Sequence, residues 1–211
     1  LYQAGAELIG YNDATATAEI LVMGVKALLS VGLKSITVDL GVPSLAEKLL
    51  CNLSADQSVL AKKSILDKDI DALLKIDDKN INLIVKIMKA SGSDGEALLK
   101  LLPEMSEDAR NMIDDMLFVA WQLRDAYPTL PITFDPLEMR GFDYHTGVGF
   151  SIFAEGLRGE IARGGAYLTG FGEPATGLSV YMERVFRGLP EFMPKQHIYI
   201  PTDISKQTML K

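Results

Sequence analysis

The sequence predicts an α+β fold, an antiparallel sheet core flanked by helices and interrupted by an all-helical insertion. Three stretches carry that reading. Residues 3–40 alternate strand, helix and strand patterns. Residues 43–127 hold no strand-like run and show amphipathic helical periodicity throughout. Residues 139–167, MRGFDYHTGVGFSIFAEGLRGEIARGGAY, read as a β-hairpin bracketed by glycines.

Taken in order, Gln3 to Gly10 (QAGAELIG) reads as a strand. Its period of two puts Gln3, Gly5 and Glu7 on one face and Ala4, Ala6 and Leu8 on the other. That polar face fits either an ordinary solvated edge or a small binding platform. Asp13 is placed to cap a helix over Ala14 to Val31, with Ala18, Leu21, Val22, Val25, Leu28 and Leu29 at helical spacing and Gly32 as its stop. Ser35 to Leu40 (SITVDL) is rich in β-formers. The helical span follows, ending in a long pattern from Ser106 to Tyr127. Its apolar stripe (Met112, Ile113, Met116, Leu117, Ala120, Trp121, Leu123) predicts core packing for the methionines and Trp121.

After Pro128 the sheet resumes at Ile132 to Asp135. In the hairpin, Gly147 to Phe153 form the first strand, Glu155 to Gly159 the turn, and Glu160 to Tyr167 the return strand. Ala175 to Val180 reads as a further strand, and Met182 to Gly188 as the start of a helix. Ile198 to Ile200 looks like one more strand. The expected organisation is a core of residues 1–42 and 128–194, a helical insertion at 43–127, and a C-terminal segment or linker starting at 195. Because the first residue is Leu1, not Met, and Tyr2-Gln3 already look mid-strand, we expect the chain to be part of a longer protein.

Bulk properties narrow the function classes. The chain has 211 residues, 48% apolar, enough for a sizeable core. A formal net charge of −7 argues against a nucleic-acid surface, which needs a basic face. One cysteine, Cys51, excludes a disulfide framework and a thiolate metal site. Two histidines make a His-rich metal site a poor expectation. No apolar run approaches bilayer-spanning length, and a reducing cytoplasm is the expected setting. Neither a metal nor a cofactor is expected.

The hairpin is polar where a core-filling strand would not be. Arg140, Asp143, Tyr144, His145 and Thr146 crowd its start, and Arg163 and Tyr167 lie near its end. Glycines beside them suit close approach of a ligand to the backbone. Arg140 reads either as a donor fork for an anion or as one half of a salt bridge to Asp135 or Asp143. Arg184 follows a glycine-containing strand and reads either as a site residue or as a surface arginine laying its stem on apolar area.

These residues resemble a known family. Arg140-Gly141-Phe142-Asp143-Tyr144-His145 is similar to the histidine-binding signature Arg-Gly-Leu-Asp-Tyr-Tyr of histidyl-tRNA synthetases. Gly164-Gly165-Ala166-Tyr167 resembles their Gly-Gly-Arg-Tyr signature. Gln3 to Gly10 resembles the closing strand of class II motif 2, and Pro174 to Arg184 (PATGLSVYMER) resembles motif 3. The four matches fall in the family's order, and 43–127 sits where those synthetases carry an insertion domain. The resemblance implies a class II synthetase-like core. It also implies a histidine site of Gln3, Glu7, Arg140, Gly141, Asp143, Tyr144, His145, Gly164, Gly165 and Tyr167. In it Gln3 takes part in ammonium binding, Arg140 holds the carboxylate, and Glu7 and Tyr144 read the imidazole.

The departures are equally specific. His145 replaces a tyrosine, Ala166 replaces an arginine, and Tyr181 replaces the motif 3 glycine against which adenine lies. Tyr181 and Arg184 then mark a vestigial nucleotide site. An amino-acid site kept beside a damaged nucleotide site resembles the synthetase-like regulatory subunits of ATP phosphoribosyltransferase. These lack catalytic activity, work with a short-form catalytic subunit and mediate feedback by L-histidine. The resemblance further implies a homodimer within a hetero-oligomer, without membrane or nucleic-acid partners. The alternative is a working histidyl-tRNA synthetase, with Arg140 stabilising the reacting carboxylate and Arg184 holding the triphosphate.

Overall fold

A computed structural model describes residues 2–139 and 144–190. Strand β1 (Gln3–Ile9) is followed by helix α1 (Ala14–Ser30) and β2 (Ile36–Gly41). Six helices come next: α2 (Pro43–Leu50), α3 (Ala55–Leu66), α4 (Ile70–Leu73), α5 (Lys79–Ala90), α6 (Gly95–Leu99) and α7 (Glu107–Ala126). The chain then returns through β3 (Ile132–Phe134), β4 (His145–Ala154), β5 (Ala162–Leu168), β6 (Pro174–Tyr181) and α8 (Met182–Gly188). The expected strand at Ile198 to Ile200 lies outside the described residues.

The strands form one six-stranded sheet in the order β1-β6-β5-β4-β2-β3. Every neighbouring pair is antiparallel except β2 with β3, which is parallel. The sheet has the antiparallel core the sequence predicts and is mixed only at the β2–β3 edge. The long helical excursion between β2 and β3 supplies the crossover that a parallel pair needs.

Local chemistry fixes the helix ends. Asp13 Oδ1 accepts from the backbone N–H of Ala16 at 2.8 Å, capping α1 as the sequence predicts. Ser54 and Gln57 form a reciprocal capping box at the start of α3. Asp69, Asp78, Asp94 and Ser106 cap α4, α5, α6 and α7 in the same manner. Gly32, with φ at +102°, turns the chain out of α1.

Alternation along the strands gives the sheet two unlike faces. Across the register, Ala6, Leu178, Gly164, Phe150 and Leu40 stand in one row. This face is apolar, and α1 and α7, packed on each other, cover it with Leu21, Val25, Ile113, Met116 and Leu123. Each such side chain contributes about 1.5–3 kcal/mol on burial. Gly24 lets α1 settle onto β6, since a Cβ there would overlap the Leu178 side chain at 2.4 Å.

The α7 stripe is narrower than the sequence predicts. Ala109, Ile113, Met116, Val119, Ala120 and Leu123 are buried, whereas Trp121 is 61% exposed. One residue beyond Ala120 is about 100° further round the helix, off the buried seam. Trp121 instead lies near Phe118, with ring centroids 6.2 Å apart.

Gly164 tests the two-faced packing. An added Cβ would stand 2.1 Å from the Gly177 carbonyl oxygen and 2.5 Å from the Phe150 ring. We predict that Gly164→Ala lowers unfolding free energy in urea by about 1–3 kcal/mol or more. Gly170→Ala, where nothing lies within 4 Å, should stay within about 0.5 kcal/mol of wild type. Equal stability of the two variants would contradict the packing described.

Candidate functional site

The opposite face of the sheet carries the polar residues. One row there runs Glu7, Gly177, Gly165, Gly149 and Gly41, across β1, β6, β5, β4 and β2. The next runs Gly5, Ser179, Arg163, Ser151 and Asp39. Glycine fills four adjacent strands at one level, and its purpose there is steric. A Cβ on Gly177 would come within 3.3 Å of Glu7 Cγ and 3.4 Å of Tyr167 Cε1. One on Gly41 would meet the Asp135 carbonyl oxygen at 2.7 Å. At Gly165, with φ at +151°, it would meet His145 and the Val148 carbonyl oxygen, both at 2.6 Å. The glycines thus let the walls of the site lie flat on the sheet.

Those walls enclose a cavity of about 150 Å³, with Glu7, Tyr144, His145, Gly164, Gly165 and Tyr167 around it. All six are site residues that the sequence nominates. Arg163, Gly177, Leu178 and Ser179 complete the lining. The Tyr167 hydroxyl donates to Glu7 Oε1 at 2.7 Å, joining residues 160 positions apart. Tyr144 is 60% exposed and stands edge-on to the Tyr167 ring, with centroids 5.9 Å apart and planes at 85°. His145 is buried beneath, its ring centroid 4.3 Å from that of Tyr144. It reaches this position through an irregularity in β4: His145 pairs with Tyr167 and Gly149 with Gly165, so β4 spends extra residues there.

Other nominated residues fall elsewhere. Gln3 shares the face with Glu7 but lies four residues along β1, about 13 Å away, opposite Tyr181. Gly164 borders the cavity through its backbone while its missing Cβ is on the core side. Arg140, Gly141 and Asp143 lie outside the described residues, so the suggested ion pair of Arg140 is not described either. Asp135 itself pairs with Lys68 at 2.5 Å.

Tyr181 and Arg184 belong to a second cluster. The Arg184 guanidinium lies 4.9 Å from the centre of the Tyr181 ring, and its Nη1 donates to the Glu160 carbonyl oxygen. Glu160 accepts from the Ser151 hydroxyl at 2.9 Å and lies 3.3 Å from Arg163 Nε. Burial and the nearby Glu160 charge raise the Tyr181 phenol above its ordinary value. Among the described residues, no group of three His, Cys, Asp or Glu side chains could hold a metal ion. No helix among them is long and apolar enough to cross a membrane. The sequence analysis noted Arg163 only as a polar residue near the end of the hairpin and did not nominate Asp39, Glu138 or Glu160. Their signal is parity, since each strand member among them falls on the polar alternation of its strand.

The Glu7 pair has a titration signature. Desolvation, then the hydrogen bond and charge of Glu7, push the Tyr167 phenol from 10.0 up to about 12. The neutral phenol is the form favoured by folding. Its contribution to stability is therefore complete below pH 10 and is lost as pH rises towards about 12. We predict that ultraviolet titration finds one tyrosine ionising near pH 12 and that Glu7→Gln lowers this value. An unchanged titration curve in Glu7→Gln would contradict the pairing.

Comparison with known proteins places this geometry in a family. The family model described as histidyl-tRNA synthetase matches residues 1–185. The ATP phosphoribosyltransferase regulatory subunit of Rhodospirillum centenum is 37% identical over 206 residues, spanning 94% of this chain and 53% of its own. The chain spans about half the length of the curated relatives it matches. Among solved structures, an ATP phosphoribosyltransferase regulatory subunit/histidyl-tRNA synthetase from Bacillus halodurans C aligns with a TM-score of 0.77 at 19% identity, covering 90% of this chain and 53% of that one. The ATP phosphoribosyl transferase (HisG:HisZ) complex from Thermotoga maritima aligns at 0.71 and 23% identity, covering 85% and 65%. At these identities the structures share the class II synthetase-like fold. With the family model spanning both the sheet and its helical excursion, this chain belongs to the histidyl-tRNA synthetase family.

Proposed function

We propose that this chain is part of a regulatory subunit of ATP phosphoribosyltransferase, one that binds L-histidine in the Glu7–Tyr167 cavity and performs no chemistry itself. The carrying observation is the pairing of Glu7 with Tyr167 in that cavity. One hydrogen bond from Tyr167 leaves the Glu7 carboxylate with further acceptor capacity. An imidazole N–H meets that capacity, with Tyr144 and His145 forming the aromatic wall. Arg140, four residues before Tyr144 in the chain, is by family resemblance the donor fork for the amino-acid carboxylate. Gln3, by family resemblance, serves the ammonium.

On the nucleotide side, Tyr181 puts a ring where the family has glycine. Arg184 is engaged by that ring and by the Glu160 carbonyl. This arrangement supports a subunit without adenylation activity. The names of the relatives support a catalytic ATP phosphoribosyltransferase subunit as partner; by family resemblance it is the short form, with histidine feedback passing between the two proteins. The setting proposed is the cytoplasm, and the assembly a homodimer within a hetero-oligomer. The family model's own description favours the second reading, a histidyl-tRNA synthetase.

Calorimetric titration of the full-length protein separates the two. We predict saturable binding of L-histidine, no binding of ATP and no pyrophosphate exchange. Glu7→Gln exchanges a charged acceptor of the imidazole N–H for a neutral one, a loss of about 1–1.5 kcal/mol, so it should weaken histidine roughly tenfold. ATP binding with pyrophosphate exchange would overturn the regulatory reading in favour of the synthetase.

A further inference from the structure

The outer side of α7 carries an aromatic ridge set among acids. At about 100° per residue, a line through Phe118 marks the middle of that side. Glu107, Asp114, Trp121 and Asp125 fall within about 60° of the line on one flank, and Asp115 does so on the other. Trp121 is 61% exposed, and the four acids are exposed with it. The Phe118 and Trp121 rings have centroids 6.2 Å apart and planes tilted by 40°, so they form one continuous apolar ridge.

Charge is segregated around this helix. Both arginines of α7 turn away from the ridge. Arg110 Nε donates to the Leu102 carbonyl oxygen at 3.3 Å, and the Arg124 guanidinium lies 5.9 Å from the centre of the Phe134 ring. Asp108, further round, pairs with Lys48 of α2. The ridge itself is flanked by carboxylates. Desolvation raises the Asp115 carboxyl pKa, and the charges of Asp114 and of Asp13 at the start of α1 add to the rise. A single exposed tryptophan is ordinary on a protein surface. A paired aromatic ridge with one sign of charge on both flanks has the anatomy of an interface: apolar anchors at the centre, and charge at the rim to steer and select the partner.

We infer that this side of α7 docks a partner protein whose matching surface presents Arg and Lys side chains around an apolar notch. The notch takes Phe118 and Trp121, and the cations meet Glu107, Asp114, Asp115 and Asp125. On the regulatory reading, on which this identification rests, the partner is the catalytic ATP phosphoribosyltransferase subunit. The sheet lies between this surface and the Glu7–Tyr167 cavity, because α7 packs on the apolar face and the cavity opens on the polar one. The partner therefore binds without covering the cavity.

The test uses the full-length protein and the catalytic subunit of the same organism. Trp121 is the only tryptophan of this chain, and its fluorescence is assigned by difference from Trp121→Phe. We expect acrylamide to quench Trp121 in the free protein. Adding the catalytic subunit should remove most of that quenching and move the emission to shorter wavelength. Trp121→Ala should weaken the complex roughly thirtyfold, the loss typical of a central aromatic anchor. Its Tm should stay within about 2 °C of wild type, because the side chain is exposed. Asp114→Asn combined with Asp125→Asn should slow association roughly tenfold and flatten its salt dependence between about 50 and 300 mM NaCl. A complex that leaves Trp121 as open to acrylamide as in the free protein would overturn the inference and leave the regulatory reading standing. Absence of any complex would overturn both. Protection of Trp121 before the catalytic subunit is added would also overturn the inference. Protection that grows with the protein's own concentration assigns the ridge to a second copy, and protection independent of concentration assigns it to the rest of the chain.

Discussion

The Glu7–Tyr167 hydrogen bond spans a strand. Glu7 is on β1, Tyr167 is on β5, and β6 lies between them. The two side chains meet only because β6 carries glycine at that level, leaving room for both to lie over its backbone. Everything else about the cavity follows from this constraint. The register of β6 must place Gly177, and not Ser179, opposite Glu7. A slip of one residue would turn the row over and bring Leu178 to the polar side. The apolar face prevents that slip, because Leu178, Phe150 and Leu40 must stay against α1 and α7. The core thus sets the geometry of the site by fixing strand parity.

The same parity gathers charge on one face. Arg163 also borders a larger cavity of about 490 Å³ on that face, so the Glu7–Tyr167 cavity and the larger space share a wall. Tyr181, Glu160 and Arg184 form a compact cluster at the far end of that wall. Glu7, His145, Arg163 and Tyr167 are all set on strands, which hold side chains more tightly in place than loops do.

Much of the fold was legible because its signals are local. Asp13, Gly32 and Ser106 mark helix ends through their own hydrogen-bonding and backbone preferences, and the structure uses them so. Short or long-range features were harder to read. β3 is three residues long, too short for periodicity to reveal its parallel partner. Trp121 sits one position off the buried seam of α7, a difference that composition does not encode. The site divides in the same way. Six nominated residues converge on one cavity, yet Glu7 and Tyr167 are far apart in sequence, and only family signatures linked them. Asp39 and Glu160 escaped notice because a single acid in a β-rich run looks like any solvated strand position. Its meaning appears only when neighbouring strands are in register. Gln3 shows the converse, sharing the correct face but standing about 13 Å along its strand from Glu7.

The most direct test of the account is a crystal structure of the full-length protein grown with saturating L-histidine. The account predicts an imidazole nitrogen within about 2.6–3.2 Å of the Glu7 carboxylate. The ring should lie over the Gly165–Gly177 floor, beside Tyr144 and Tyr167. Histidine bound on another surface, with Glu7 still joined only to Tyr167 and the cavity empty, would contradict it.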